Sequence, residues 1–235
     1  MGHFTSKIAR EIGRLYDWPG GIFPTPYRCR EVSEEEEAQV ERLRYVLSQG
    51  VKEGLVESPL DWPGVHGAKA LLEGKPLEGV WRDRTAEYHA CRGRPPLDSE
   101  TYETVEALTL KPLPCWDHLS AEERGVRVAR LIADIEEVGR AERLRAGSWP
   151  KGAAAVKAMH PHHRPKVMER RPVSRFHAVR QRVRKELTEA YRLFLEAYRA
   201  ASKALRSGEG KVMFPPGCFP PGLPFVPAEP VMRPP

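Results

Sequence analysis

Residues 43–56 read L-R-Y-V-L-S-Q-G-V-K-E-G-L-V, and this stretch decides how the chain can fold. On a helix with about 100° per residue, Leu43 and Leu47 fall on one side, which must face a core. Tyr45 falls nearly opposite, and Gln49 lies next to it, one helical turn further on. The stretch therefore predicts a helix that displays a phenol beside a carboxamide, away from the core.

Tyr45 admits two interpretations. Most tyrosines on a polar helix face are half-buried side chains with a hydrated hydroxyl group. A phenol that projects from a helix can also act as a nucleophile, and a neighbouring amide oxygen can ligate a hard cation. Geometry alone leaves both interpretations open.

The sequence around Tyr45 resembles the tyrosine-helix signature of the REP-associated tyrosine transposases, which belong to the HUH, insertion-sequence-200-like transposases. That signature reads approximately R-Y-I-x-x-N-P-V-x-x-G-L-V, followed by x-P-x-D-W-P. The matching residues of this chain are Arg44, Tyr45, Val51, Gly54, Leu55, Val56, Pro59, Asp61, Trp62 and Pro63. Upstream, a G-x-x-F…Y-R/K pattern is matched by Gly20, Phe23, Tyr27 and Arg28. The resemblance covers about residues 4–75.

The resemblance implies an activity and a set of site residues. In the family, the tyrosine attacks a phosphodiester of single-stranded DNA, forms a 5′-phosphotyrosine link and frees a 3′-hydroxyl group that can later be joined. Tyr45 would be this nucleophile. Gln49 would be a ligand of Mg²⁺ or Mn²⁺, because the family's third ligand lies at this position after the tyrosine. The implied fold is the C-terminal part of a ferredoxin-like palm.

The metal site that the resemblance implies is incomplete. The family takes its other ligands from a His-hydrophobic-His pair upstream of the tyrosine helix, whereas His3 is the only histidine before Tyr45. We therefore expect a chain that is truncated at its N-terminus relative to the family. The later run of His160, His162 and His163 is interrupted by proline and has the reverse order relative to the tyrosine. We interpret it as a solvated or DNA-facing loop rather than as a replacement site.

Outward from the tyrosine, helical patterns dominate, and they predict an α+β fold that is mostly α. Apolar periodicity predicts helices at about 4–16, 33–49, 65–73, 120–145, 153–159 and 174–206, and strands at 27–32 and 103–110. Ser33 and Glu36 would form the capping box of the second helix. The expected organisation is a partial transposase domain at 1–75, a mixed extension at 76–150, a linker at 151–173, a long amphipathic helix at 174–208 and a Pro-rich tail at 209–235.

The charge pattern is compatible with DNA as a partner. The net charge is +6 and the sequence pI is about 9.2. The candidate DNA-contact residues are Arg28, Arg42, Arg175, Arg180, Arg184 and Lys185. The last four lie at the start of the long predicted helix, where they form either a phosphate-contact surface or only its solvated face. The resemblance implies single-stranded or hairpin DNA.

Other classes of protein are disfavoured. The four cysteines are far apart and form no C-x-x-C pair, so we expect neither a zinc site nor a disulfide framework, and a cytoplasmic setting. No stretch approaches the roughly 18 apolar residues of a membrane span. The oligomeric state stays open between monomer and dimer. Two functions stay open: a transposase, inactive alone for want of the His-x-His pair, and a non-catalytic DNA-binding or interaction protein with a vestigial tyrosine.

Overall fold

The computed structural model describes residues 2–18, 21–23, 29–92, 99–160, 162–163, 174–209, 212–219 and 221. In these ranges the fold is α+β and mostly helical, as the periodicity predicts. The α-helices are α1 (Gly2–Tyr16), α2 (Glu36–Leu47), α3 (Gln49–Lys52), α4 (Gly67–Glu73), α5 (Arg84–Ala90), α6 (Ala121–Ala146), α7 (Ala153–Ala158) and α8 (Gln181–Arg206). The strands are β1 (Glu31–Val32), β2 (Leu77–Arg82), β3 (Glu103–Leu108) and β4 (Phe176–His177). Short 3₁₀ turns are Pro59–Asp61, Ser99–Tyr102 and Pro114–Trp116.

The core lies where α6 packs against the tyrosine segment, the name used below for residues 36–63. The buried residues of this core are Leu47, Val51, Val56, Ala68, Trp116, Val128, Leu131, Ile132 and Ile135. Burying a Val, Leu or Ile side chain contributes roughly 1.5–3 kcal/mol. The same core thus includes residues from both sides of the boundary expected near residue 75.

Glycines permit this close packing. A Cβ atom on Gly50 would lie 2.8 Å from Cε3 of Trp62 and 3.0 Å from Cγ2 of Val56. A Cβ atom on Gly139 of α6 would overlap the side chain of Val51. Because protein interiors are close-packed, these positions have no room for a larger side chain. Gly50 and Trp62 therefore form one packing unit within the tyrosine segment.

The predicted bounds of the helix at 33–49 are wrong at both ends. Ser33 does not cap a helix, because its backbone N–H donates to the carbonyl of His177 at 2.9 Å and its hydroxyl donates to Glu35 at 2.8 Å. Helix α2 consequently begins at Glu36. It ends at Leu47, and Ser48 separates it from the short helix α3.

The long predicted helix at 174–206 begins later than predicted. Residues Phe176 and His177 form strand β4, which pairs in parallel with β1 in the register Glu31↔Phe176 and Val32↔His177. Helix α8 starts only at Gln181. An aromatic row along α8 continues the contact, with Phe176, Tyr191, Phe194, Tyr198 and Phe214 in ring-to-ring contact one after another. The segment before α8 is therefore joined to the tyrosine segment by a strand pair.

Of two further expectations on the extension, one needs correction and one is confirmed. The periodicity at 120–145 predicts that Val126, Leu131, Ile135 and Val138 form the apolar side of the helix. Leu131 and Ile135 of α6 are indeed buried, but Val126 is 66% exposed and Val138 is 52% exposed. The strand predicted at 103–110 is present as β3, and its antiparallel partner β2 was not predicted. The described strands thus form two sheets of two strands each, β1–β4 and β2–β3. Within the described ranges, no helix is long and apolar enough to cross a membrane.

Candidate nucleic-acid site around Tyr45

Tyr45 lies on the outer side of α2. Its side chain is 48% exposed, whereas Leu47 is almost completely buried and Leu43 packs against the core. This is the arrangement that the helical periodicity predicts. The phenol is therefore accessible to a macromolecular ligand.

Two cations lie over the phenol ring. The guanidinium carbon of Arg42 is 5.1 Å from the ring centroid, and Nζ of Lys52 is 5.8 Å from it. Arg42 comes from the preceding turn of α2, and Lys52 is the last residue of α3. A cation in this position gains about 0.5–1 kcal/mol from an exposed ring. An anion that approaches the phenol meets both positive charges.

The Gln49 carboxamide lies against the end of α2. Its Nε2 atom donates a hydrogen bond to the backbone carbonyl of Tyr45 at 3.0 Å. Because a carbonyl can only accept, the amide nitrogen must be the atom that faces the helix. The amide oxygen is thus the atom that remains for a ligand, and the Gln49 side chain is exposed.

His177 is a member of the site that the sequence did not indicate. Nη2 of Arg42 lies 3.2 Å from Nδ1 of His177, and Nε2 of His177 lies 3.0 Å from Oε2 of Glu41. A guanidinium can only donate, so Nδ1 accepts and the ring proton is on Nε2. The contact with Glu41 is an electrostatic one, because Nε2 has no well-aligned hydrogen-bond partner among the described residues.

The electrostatics agree with a neutral His177. Burial lowers the pKa of its imidazole, and the charges of Arg42 and Arg30 lower it further, against an opposing effect of Glu41. Burial also lowers the pKa of the Arg30 guanidinium, followed by the repulsion from Arg42. Arginine nevertheless stays protonated at neutral pH. Arg30, Arg42 and Lys52 together make the surroundings of Tyr45 positive.

The structure brings only some of the predicted DNA-contact residues to Tyr45. Arg42 is there, and Arg184 lies close enough to influence Arg30 while it donates to the carbonyl of Ala178 at 2.8 Å. Arg180 is at the start of α8, 3.5 Å from the carboxylate of Glu35.

Two other candidates are not part of this cluster, and a third cannot be assigned to it. Arg175 stacks on the ring of Tyr191, with 4.1 Å between the guanidinium carbon and the ring centroid. Lys185 is exposed on α8. Arg28 lies outside the described residues.

The residues around Tyr45 do not by themselves fit a divalent cation. Among the described residues, no three His, Cys, Asp or Glu side chains form a group that could hold a metal. The positive charges of Arg42 and Lys52 would also repel a metal ion bound beside the phenol ring. Gln49 is one oxygen donor, and a Mg²⁺ or Mn²⁺ site needs several.

The later histidines lie in another setting. The rings of His160 and His162 meet edge to face with 5.2 Å between centroids, and His162 contacts Trp18 with a centroid distance of 4.7 Å. These contacts are ring packing against the α1 end of the chain. Residue 161 lies outside the described residues.

Comparison of the chain with protein-family models, with curated proteins and with solved structures found no significant match. The class of the site therefore rests on its own residues. A half-exposed phenol with two cations over its ring and a third cation, Arg30, nearby is an arrangement suited to a phosphodiester. This composition is typical of a surface that contacts a nucleic-acid backbone.

Proposed function

We propose that the chain is a transposase-type protein that binds single-stranded DNA at the Tyr45 site, with Tyr45 as the nucleophile of strand cleavage and rejoining. The observation that carries the proposal is the exposed phenol of Tyr45 with Arg42 and Lys52 over its ring. The resemblance of residues 4–75 to the REP-associated tyrosine transposases supports it.

Single-stranded DNA suits this surface better than duplex DNA. Unpaired bases stack on exposed aromatic rings, while cations beside the ring neutralise the backbone phosphates. A single strand is also flexible enough to bring one phosphorus atom up to a phenol that projects from a helix. The cluster of Arg30, Arg42 and Lys52 can hold the phosphates on either side of that phosphorus.

The proposed reaction is a transesterification. The phenol oxygen of Tyr45 forms a bond to phosphorus, and the bond between phosphorus and the 3′-oxygen breaks. The phenol loses its proton and the released 3′-oxygen gains one, so that the number of phosphodiester bonds and the net charge stay the same. Arg42 and Lys52 stabilise the negative charge that spreads over the non-bridging oxygens. Attack by a 3′-hydroxyl group on the phosphotyrosine would reverse the reaction and rejoin a strand.

The finer predictions of fold and cofactor belong to the same proposal. The partial transposase domain predicted at 1–75 would be the C-terminal part of a ferredoxin-like palm. Mg²⁺ or Mn²⁺, with Gln49 as one ligand, stays a prediction from the resemblance. Because the described residues do not form a metal site, we assign no step to a metal ion.

A non-catalytic DNA-binding protein is the second candidate. Two observations favour it: the described residues contain no group of three metal-binding side chains, and the Gln49 carboxamide is hydrogen-bonded to the backbone carbonyl of Tyr45 in α2. In this case the cations would hold DNA at the Tyr45 site, and the phenol would serve as a stacking surface alone.

Covalent trapping distinguishes the two candidates. Single-stranded and hairpin oligonucleotides with a sulfur atom in place of the bridging 3′-oxygen, labelled at the 3′ end, are incubated with the full chain in Mg²⁺, in Mn²⁺ and in EDTA. The released thiol reverses the reaction poorly, so a covalent adduct accumulates on a denaturing gel. The sequence alone predicts a chain that is inactive by itself. Because Arg42 and Lys52 lie over the phenol, we propose instead that the natural chain forms the adduct and Tyr45→Phe forms none. Binding of unmodified oligonucleotides should stay within about twofold in Tyr45→Phe, because the cations remain.

Tyr88→Phe is the matched control. Tyr88 is 64% exposed and has Arg92 over its ring at 5.8 Å, so it shares the features of an exposed, cation-flanked tyrosine. Its variant should form the adduct at the natural rate. An adduct that persists in Tyr45→Phe would refute the role of Tyr45, and binding without any adduct in the natural chain would establish the non-catalytic candidate.

A further inference from the structure

We infer that His177 is a positioning residue of the Tyr45 site: by accepting a hydrogen bond from Arg42, it holds this guanidinium over the phenol ring. The inference rests on the proposed function in one respect, namely that Arg42 contacts a DNA phosphate. It adds to that function a residue from the distant C-terminal part of the chain.

The contacts of Arg42 carry the inference. Its Nη2 atom is 3.2 Å from Nδ1 of His177, while its Cζ atom is 5.1 Å from the centroid of the Tyr45 ring. Its Nε atom has no hydrogen-bond partner among the described residues. The hydrogen bond to His177 is thus the directional contact that the described residues offer this guanidinium.

His177 is itself held firmly. Its carbonyl accepts from the N–H of Ser33 at 2.9 Å, through the pairing of β4 with β1. The carboxylate of Glu35 accepts from the N–H groups of Val179 and Arg180 at 2.9 and 3.1 Å. The side chain of His177 is only 14% exposed. The imidazole therefore has a defined position relative to α2.

The tautomer of His177 suits the role. Nδ1 must carry a lone pair to accept from Arg42, and the Nε2 proton then points to the side of Glu41. Second partners of this kind set which ring nitrogen carries the proton. A guanidinium that is already oriented loses less conformational freedom when a phosphate binds. His177 thus improves phosphate binding without touching the phosphate.

Two isosteric substitutions test the inference. The side-chain oxygen of Asn can occupy the position of Nδ1 and accept from Arg42, whereas the amide of Gln reaches the position of Nε2 and retains only the contact with Glu41. We expect His177→Asn to keep the affinity for a single-stranded oligonucleotide within about twofold. We expect His177→Gln to weaken it about three- to tenfold, the effect of one hydrogen bond. In the Arg42→Ala background, His177→Gln should have no further effect.

A second measurement covers the case in which His177→Gln fails to fold. ¹⁵N NMR of the His177 ring in the natural chain should show a proton on Nε2 and an unprotonated Nδ1, and Arg42→Ala should shift the Nδ1 resonance. A ring protonated on Nδ1 would overturn the inference. Equal losses of affinity in His177→Asn and His177→Gln would do the same. So would an undiminished loss of affinity when His177→Gln is introduced into the Arg42→Ala background.

These outcomes are separate from those for the proposed function. The role of His177 is measured as affinity, whereas the role of Tyr45 is measured as a covalent adduct. If the adduct is absent but the Asn and Gln variants differ as expected, only the strand-transfer proposal fails. If the natural chain does not bind single-stranded DNA at all, both are overturned.

Discussion

At the scale of single residues, Gly50 allows Trp62 and Val56 to pack against the backbone of α3 within the tyrosine segment. Its carbonyl accepts from the N–H groups of Leu55 and Val56 at 2.9 and 3.3 Å, while the indole of Trp62 covers its Cα atom. Lys52 lies two residues after Gly50, and its ammonium group lies over the Tyr45 ring. The position of one cation of the site therefore depends on a residue without a side chain.

Gly50→Ala should destabilise the protein by about 1–3 kcal/mol, because the added methyl group has to displace the side chains of Trp62 and Val56. The free energy of unfolding is measured by urea denaturation. Gly13→Ala is the control, because a Cβ atom there meets no atom within 4 Å and alanine favours a helix. Equal stability of Gly50→Ala and the natural chain would show that the tyrosine segment packs less tightly than described.

The exposure of a side chain could be predicted where local periodicity decides it. The helical repeat alone places Tyr45 and Leu47 on opposite sides of α2. His177 could not be found in this way, because strand pairing brings it to the site from far along the chain. The one local signal is that it follows Phe176 in a short stretch rich in basic residues, and this pattern is too common to indicate a site.

At the scale of elements, the β1–β4 pair is the connection between the tyrosine segment and the C-terminal helix. Glu35, which directly precedes α2, stabilises this connection: its carboxylate accepts hydrogen bonds from two backbone N–H groups just before α8. Burial would raise the pKa of Glu35, but hydrogen bonds from Ser33, Arg180 and Val179 outweigh it and lower the pKa. Glu35 is thus ionised at neutral pH, which strengthens each of these bonds.

Glu35→Ala should release the segment around β4 without unfolding the core, because the side-chain hydrogen bonds of Glu35 go to Ser33, Val179 and Arg180. We expect faster tryptic cleavage after Arg175 and Arg180, and a loss of affinity for single-stranded DNA similar to that of His177→Gln. Glu34→Ala is the matched control, since Glu34 is the adjacent exposed carboxylate. Unchanged proteolysis in the Glu35 variant would mean that strand pairing alone holds the segment.

The element predictions failed where a pattern fits two structures. Phe176, Val179 and Val183 have helical spacing, yet Phe176 lies in a strand, because the backbone of β1 offers hydrogen bonds that the start of an isolated helix lacks. Ser33 and Glu36 have the spacing of a capping box, but the backbone N–H of Ser33 donates to His177 in the β1–β4 pairing, so Ser33 caps no helix. Strand β2 shows no alternation of apolar residues in its sequence, L-E-G-V-W-R, and its pairing with β3 is what makes it a strand.

At the scale of the whole molecule, the net charge of +6 is less informative than where the cations gather. Many arginines are neutralised by nearby carboxylates: Arg44 lies 3.0 Å from Asp134, and Arg192 pairs with both Glu189 and Glu196. Around Tyr45, by contrast, Arg42 contacts a neutral imidazole rather than a carboxylate. The local excess of positive charge should therefore govern DNA binding.

Affinity for single-stranded DNA should fall with ionic strength, and Arg42 should account for part of the slope. Each phosphate that loses its contact reduces the slope of log K against log salt concentration by about 0.7 for a single strand. We expect this reduction for Arg42→Ala and no change for Arg145→Ala, an exposed arginine at the end of α6. Fluorescence anisotropy titrations from low to moderate salt measure the slope. An equal slope for the Arg42 variant would place the phosphate contacts elsewhere.

The pairing of β1 with β4 has a consequence for protein synthesis. The ribosome releases Tyr45 and its neighbouring cations long before it delivers His177, so the partly made chain has a tyrosine helix whose arginine is still unrestrained. The complete binding surface arises only after the late strand docks. Biosynthesis itself would thereby delay tight contact with nucleic acid until the strand that carries His177 has been made.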